Sequence, residues 1–339
     1  MHENISNILW LAIKSAGRQL GGTFLSPGSS LSIAALMLSL LVFILVAVPR
    51  GHRRGVPLKV MVRLVVPRRQ FGTASGRADA GYFFGGVLLA GLAVGWALVS
   101  ADQVRATLLA LAGGPGTARL PWWAAAVIAT VIMFVAFEFA YWLDHWLKHR
   151  VAFFWHFHKV HHQAESLSLL TNGRVHPVDT IVFLNIVAVT LGTTQAGLML
   201  ILGPPATPIA LYGSNALLMI ASVTISHLQH SHLWIGFGPR WGRWLLGPAH
   251  HQIHHSCAPE HYNRNLGNVL AVFDRLAGTF SAPGATRPPI RFGVDDDEPA
   301  PHGLRALLIQ PFIAAGAGLA APLLRRSERR RRSAGAANG

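Results

Sequence analysis

Charge is scarce in this sequence. Only 13% of its 339 residues are charged, whereas 51% are hydrophobic, and about 25% charge is usual in a soluble domain. Acidic residues are rarer still, because 14 Asp and Glu stand against 29 Lys and Arg, which gives a formal net charge of +15. The composition disfavours an ordinary soluble globular protein and is typical of a membrane protein.

Cysteine is nearly absent as well. The single Cys257 excludes an internal disulfide and any iron–sulfur or zinc site built from several cysteines. A nucleotide site is not expected either, since the G-x-G-x-x-A match at 316–321 follows no strand. Nucleic acid is not an expected partner, because the basic residues flank apolar runs and are not interleaved with aromatic residues.

Long uncharged runs fill much of the chain instead. Each is about as long as the ~20 residues that a helix needs to cross a bilayer. The last two runs are separated at Gly203–Pro208, where Gly and Pro break the helix. The runs therefore predict an all-α integral membrane protein with about five transmembrane helices: Leu31–Val48, Ala80–Ala101, Leu120–Phe137, Val182–Leu202 and Ile209–Ser226.

The basic residues predict an orientation. Eight Lys and Arg lie between residues 50 and 77, and such loops stay in the cytosol. Counting spans from there, both histidine-rich stretches, 145–162 and 227–261, fall on the cytosolic face. The apolar segment Ala306–Leu324 is expected to be interfacial or re-entrant, since Gln310 and Pro311 interrupt it and spanning would carry Arg325–Arg332 outward.

Fifteen of the 18 histidines lie between residues 145 and 261, and their spacing is regular. His145 and His149 are four residues apart, so on a helix they share one face. The pattern H-x-x-H-H then occurs twice, and each copy offers three imidazoles at positions i, i+3 and i+4. A metal takes the lone pairs of neutral imidazoles directly. Because these ligands outnumber the six positions of one octahedral ion, the pattern predicts two adjacent metals.

Spacing leaves the metal and the function open. Imidazole suits zinc, copper, iron and nickel, and neither a cysteine-rich zinc site nor a Glu-x-x-His pattern is present. Glu165, Asp179 and Glu260 lie outside the histidine motifs and are candidates for orienting imidazoles. A histidine-lined divalent metal transporter and a non-catalytic metal- or lipid-binding membrane protein remain alternatives.

The motifs resemble the fatty acid hydroxylase/sterol desaturase superfamily, whose members are membrane non-heme di-iron oxygenases. The resemblance extends over about residues 60–312. It predicts three regions: an N-terminal segment with the first transmembrane helix (1–57), a catalytic domain (58–312), and an apolar, then Arg-rich, tail (313–339). The motifs are EFAYWLDHWLKHR (138–150), WHFHKVHH (155–162), RVHP (174–177), LQHSH (228–232), PAHHQIHHS (248–256) and NRNLGNVLAVFDRLAGTF (263–280).

The resemblance also implies roles for individual residues. His176, His261 and Asp274 are assigned to the second shell or the lipid pocket, and His232 and His250 are expected to be neighbours of the site without a ligand role. No catalytic side chain is expected beyond the metal centre. The implied iron ligands are His145, His149, His158, His161, His162, His227, His230, His251, His254 and His255.

The implied activity is O2-dependent hydroxylation or desaturation at a C–H bond of a sterol, fatty acyl chain or related lipid. It requires two iron ions, O2 as co-substrate, and electrons from a separate reductase or carrier. The lipid and the choice between hydroxylation and desaturation are left open by the sequence.

Overall fold

The computed structural model describes residues 72–94, 98–294 and 301–336, with scattered positions between residues 10 and 55. Side chains are described over these ranges except at 87–94, 227 and 321–336. The first predicted span and the basic loop up to residue 71 therefore lie, apart from a few positions, outside the described residues.

The described chain is mostly helical, as predicted. Short 3-10 segments occupy Leu169–Gly173, Ser226–Leu228 and Pro259–His261, and strand β1 (Ala210–Leu211) pairs antiparallel with β2 (Ser214–Asn215). The helices are α1 (Ala74–Val94), α2 (Ala101–Leu111), α3 (Trp122–Arg150), α4 (Ala152–His162), α5 (Pro177–Leu202), α6 (Ala216–Thr224), α7 (Gly238–Trp241), α8 (Pro248–His254), α9 (Val272–Ala277) and α10 (Leu304–Ala336).

Helices α3 and α5 form the apolar centre of the fold and pack antiparallel. Ala125 and Ala129 near the start of α3 lie against Leu198 near the end of α5, while Lys148 near the end of α3 contacts Asp179 in the first turn of α5. Small alanine side chains permit this close approach. The ends of α3 and the start of α5 are thereby brought to the same side of the molecule.

Among the described residues, α3 and α5 are long and apolar enough to cross a membrane. Only 33% and 28% of their most apolar windows are buried inside the protein, whereas a core helix of a soluble protein would be mostly buried. Large apolar side chains of α3, including Val127, Val131 and Val135, are exposed. This outward apolar face fits contact with lipid.

Two of the predicted spans have different bounds from those expected. The predicted span Ala80–Ala101 is not one helix, because residues 98–100 are non-helical and Ser100 starts α2 with a capping box. The predicted helix Ile209–Ser226 is wrong in its first part, which forms the β1–β2 hairpin. Helix α6 has nine residues, about 14 Å at 1.5 Å per residue, and is too short to cross the ~30 Å hydrocarbon core.

The sequence predicted an interruption at Gln310 and Pro311. The C-terminal helix α10 instead continues through both residues. It continues from Leu304 to Ala336 and runs through the predicted domain boundary after residue 312. Leu307 is buried with Val160 of α4, and Phe312 packs edge-on against Phe157. These contacts on both sides of the proline stabilise the helix despite the backbone hydrogen bond that proline removes.

Candidate metal centre

Nine histidines converge at the side of the molecule where α3 ends and α5 begins. They form two groups, in each of which the available ligand nitrogens all lie within 4.8 Å of one another. The five-histidine group contains His145, His149, His158, His162 and His254, and the four-histidine group contains His161, His230, His251 and His255. The structure thus brings together nine of the ten predicted ligands; the tenth, His227, has no described side chain.

Helix geometry explains how the repeated H-x-x-H-H pattern serves two groups. Residues four apart on a helix point in nearly the same direction, whereas neighbours diverge by about 100°. In α4, His158 and His162 therefore join one group while His161 joins the other. The second motif does the reverse, because His251 and His255 share the four-histidine group.

The third ligand of that second motif, His254, crosses to the five-histidine group. Each motif consequently gives two imidazoles to one group and one imidazole to the other. The two groups are adjacent, since the rings of His162 and His255 stack with centroids 4.5 Å apart.

The five-histidine group presents unpaired nitrogens. The Nε2 atoms of all five rings are buried and have no hydrogen-bond partner. A buried polar atom without a partner costs free energy. Five such nitrogens lie close together here, and a bound cation would remove that cost. Neutral imidazole nitrogen is the ligand that zinc, copper, iron and nickel accept, so the residues present fit a transition metal.

Hydrogen bonds on the opposite ring nitrogens fix this orientation. The Nδ1–H of His145 donates to the carbonyl oxygen of Leu266 at 2.7 Å, and that of His254 donates to Arg264 at 2.8 Å. A carbonyl only accepts, so these rings carry their proton on Nδ1 and leave the Nε2 lone pair free. Such outer partners are a usual feature of metal-binding histidines.

The four-histidine group is more compact. The Nε2 atom of His230 lies 3.0 Å from that of His161 and 2.9 Å from that of His251, and the Nε2 atoms of His251 and His255 are 3.1 Å apart. On the far side, the Nδ1–H of His161 donates to the carbonyl of Arg174 at 3.2 Å. Four nitrogens facing one another at this spacing have the donor set of a second ion.

Burial keeps these imidazoles uncharged. Together with nearby histidines, it lowers the pKa of His230 and of His254 to about 3. It likewise holds the pKa values of His161, His251 and His255 well below the usual 6.5. The rings are therefore neutral at physiological pH, which is the form that binds metal.

Two carboxylates hold the loop that orients His145 and His254. Buried Glu138 in α3 accepts hydrogen bonds from the Asn268 side chain and from the backbone N–H groups of Val269 and Leu270, at 2.7–2.8 Å. Asp274 in α9 accepts from the N–H groups of Leu266 and Gly267 and from the Thr279 hydroxyl, at 2.6–2.9 Å.

The loop also packs too closely for any side chain at Gly267. A Cβ atom there would lie 2.8 Å from the carbonyl oxygen of Leu270 and 2.9 Å from the side chain of Leu246. Glycine is therefore required at this position, and the loop carbonyls next to it are held rigidly against the histidines.

Residues 130–279 match the family model for fatty acid hydroxylases, and this segment contains all nine grouped histidines. Over this segment, which is somewhat less than half of the chain, the protein is similar to the fatty acid hydroxylase family. The predicted resemblance to the fatty acid hydroxylase/sterol desaturase superfamily is confirmed.

Relatives in this family are lipid-modifying oxidoreductases. The chain is 30% identical over 188 residues to an ornithine lipid hydroxylase of Rhizobium tropici, covering 55% of this chain and 51% of the relative. It is 26% identical to an alkylglycerol monooxygenase of Caenorhabditis elegans (45% of this chain, 27% of the relative) and 28% identical to the human one (44% and 30%). The chain therefore spans about half, or less, of these relatives' length. No solved structure matches it.

Other predicted site residues of the family segment lie apart from the two groups. His176 caps the start of α5 by accepting from the N–H of Val178, and its Nε2 contacts the carbonyl of Leu308. His250 is in neither group; its Nε2–H donates to the carbonyl of Gly242, and its Nδ1 accepts from the N–H of Gly247. His232 and His261 are likewise in neither group. Asp274 is in neither group either, and its carboxylate accepts hydrogen bonds from the backbone of Leu266 and Gly267 in the loop.

Several charged residues around the groups were not predicted to have a role. Arg174 is fully buried, and its guanidinium donates to the carbonyl of Val160 in α4 and to Asp79 in α1. Glu138 and Lys148 are buried in α3, which also carries Asp144 and Arg150 near its end. An ionisable residue inside an apolar span is expensive and usually functional, and that rule could have found Glu138, which directly follows the uncharged run Leu120–Phe137. Lys148 lies well beyond this run, where the rule does not apply.

Proposed function

We propose that this chain is a membrane lipid hydroxylase that inserts one oxygen atom of O2 into a C–H bond, with one iron ion in each histidine group. The observation that carries the proposal is the pair of adjacent groups of imidazoles, whose ligand nitrogens are buried and lie close together within each group. Hydroxylation is preferred over desaturation because the matched relatives are named as hydroxylases and monooxygenases.

The chain's own residues prepare the site for this chemistry. When bound, two irons supply the activation of O2 that attack on an unactivated C–H bond requires. The carbonyls of Leu266, Arg264 and Arg174 hold three imidazoles in the ligating tautomer. Burial of the groups excludes water, which protects an oxidising site from side reactions.

The placement of the groups suits a lipid substrate. They lie at one end of the α3–α5 pair, whose outward faces are apolar. We propose that this end faces the cytosol and that the lipid approaches from the bilayer with its polar head at the interface. An amphiphile of this kind agrees with the relatives, which are named for an ornithine lipid and for alkylglycerol.

The reaction needs electrons from outside the site. A chain with a single cysteine has no multi-cysteine iron–sulfur cluster of its own. We therefore propose that a separate reductase or small electron carrier delivers them on the face that carries the histidines.

The test is a comparison of lipid extracts from cells with and without the protein, grown under isotopically labelled O2. We expect lipids that gain one oxygen atom carrying the label. His158→Ala should abolish the product, whereas His156→Ala should retain it, because His156 lies on the same helix but in neither group. Unchanged lipids, oxygen derived from water, or full product with His158→Ala would refute the proposal.

A further inference from the structure

Lys148 is a buried cation one residue before a predicted metal ligand. Its side chain is 5% exposed, although it lies in a helix whose other residues are mostly apolar. The ammonium group donates to Asp144 at 2.5 Å, to the carboxylate of Asp179 and to the backbone carbonyl of Asp179 at 3.1 Å. All three N–H groups of the lysine are therefore paired, and two of them donate to Asp179.

Asp179 connects this lysine to the five-histidine group. One carboxylate oxygen pairs with Lys148 and the other lies 2.8 Å from Nδ1 of His158. An ionised carboxylate only accepts, so the Nδ1–H of His158 donates to Asp179, and the buried Nε2 of the same ring has no hydrogen-bond partner. The contact runs from Lys148 through Asp179 to a ligand of one group, and α3, α5 and α4 each contribute one residue.

We propose that Lys148 is a positioning residue for the five-histidine metal site: by holding Asp179 from two directions, it sets the ring of His158. The inference rests on the metal centre of the proposed function and not on the identity of the lipid. Without the ammonium group, one oxygen of Asp179 would be a buried charge without its partner, and such a carboxylate relaxes toward water or another donor.

A simpler role has to be separated from this one. Lys148 also neutralises Asp144, whose second carboxylate oxygen is buried and unpartnered. If neutralising Asp144 were its whole contribution, removing both charges together would restore the site. If Lys148 positions Asp179, the same double change would leave His158 misplaced.

The experiment measures metal retention in the full-length protein and is independent of turnover. Protein loaded with Fe²⁺ under anaerobic conditions is challenged with a chelator, and the iron retained per chain is counted. Lys148→Met should weaken one site by up to about 10- to 100-fold, which is the usual cost when a metal ligand loses its outer partner, here the contact of Asp179 with His158. Lys148→Met/Asp144→Asn, which keeps the net charge of the network unchanged, should show the same loss.

Reference variants identify which ion is lost. His149→Ala removes a ligand of the five-histidine group and His251→Ala one of the four-histidine group. Adding Lys148→Met to His149→Ala should cause little further loss of iron, because both changes affect the five-histidine group. Adding it to His251→Ala should leave almost no iron, because both groups are then impaired. Arg150→Met, which removes an exposed cation from the same helix, is the matched control and should retain both ions.

Three results would overturn the proposal: retention of both ions by Lys148→Met, equal weakening of both sites, or restoration by the added Asp144→Asn change. Absence of any hydroxylated lipid from the unaltered protein would instead refute the proposed function while leaving this result standing.

Discussion

Replacing Asp274 should destabilise the protein through the loop that orients two histidines. The fully buried carboxylate accepts three hydrogen bonds, from the N–H groups of Leu266 and Gly267 and from the hydroxyl of Thr279. A buried donor left without a partner costs about 1–3 kcal/mol, so Asp274→Ala should cost about 3–9 kcal/mol. That is comparable to the whole stability of many domains, about 5–15 kcal/mol.

Asp274→Asn should be milder. The amide oxygen can still accept from Leu266 and Thr279, and only the N–H of Gly267 then faces another donor, at a cost of about 1–3 kcal/mol. Because Leu266 also supplies the carbonyl that holds His145, both variants should lose iron in the same order as they lose stability.

The assay is the half-life of the folded protein in detergent at a fixed high temperature, since membrane proteins often unfold irreversibly and the rate is then the meaningful quantity. We expect the order unaltered protein, Asp274→Asn, Asp274→Ala, from slowest to fastest unfolding. Equal half-lives for the alanine variant and the unaltered protein would show that the three hydrogen bonds do not hold the loop. Faster unfolding of Asp274→Asn than of Asp274→Ala would show that the number of unpartnered donors does not determine stability here.

Three further predictions follow from neighbouring features. Gly267→Ala should lower stability by about 1–3 kcal/mol or more and release iron, because its Cβ would meet Leu270 and Leu246 at under 3 Å; normal half-life and iron content would contradict this. His250→Ala should lower stability by about 2–6 kcal/mol, because it leaves the N–H of Gly247 and the carbonyl of Gly242 without their buried partner. It should retain both irons, and selective loss of iron would make His250 a ligand. Metal-free protein should lose stability as pH falls from 6.5 toward 3, by about 1.4 kcal/mol per pH unit for each of His230 and His254. Burial lowers the pKa of these two histidines to about 3, so the native state binds fewer protons than the unfolded chain over this range. Equal half-lives at pH 5 and pH 7.5 would refute it.

The spacing of the histidines predicts much of the site. Spacing alone placed His145 and His149 on one helix face, and the number of histidines predicted more than one ion. Spacing did not show that His161 and His254 would each cross to the other group, because that depends on how α4 and α8 are oriented relative to each other. Helix periodicity describes directions within one helix and not the angle between two.

The partners that orient the rings were harder to predict. His145 and His254 are held by backbone carbonyls of Leu266 and Arg264, and every residue type has such a carbonyl. Glu138 acts on a loop about 130 residues further along the chain, a distance over which sequence spacing carries no geometry. Only its charge inside an apolar run indicates that it has a role.

Apolar composition predicted the two long helices but not where shorter ones start. The run from Ile209 to Ser226 is uncharged, yet the chain turns at Tyr212 and Gly213, which both have positive φ, and Asn215 caps α6 by accepting from Leu217 and Leu218. Local turn and capping interactions determined this region, and average hydrophobicity does not contain them.

Anomalous X-ray diffraction at the iron edge from iron-loaded crystals tests the central claim most directly. We predict two iron peaks in each chain, one enclosed by the Nε2 atoms of the five-histidine group and one by those of the four-histidine group. A single peak shared by both groups, or iron bound elsewhere with both groups empty, would contradict it.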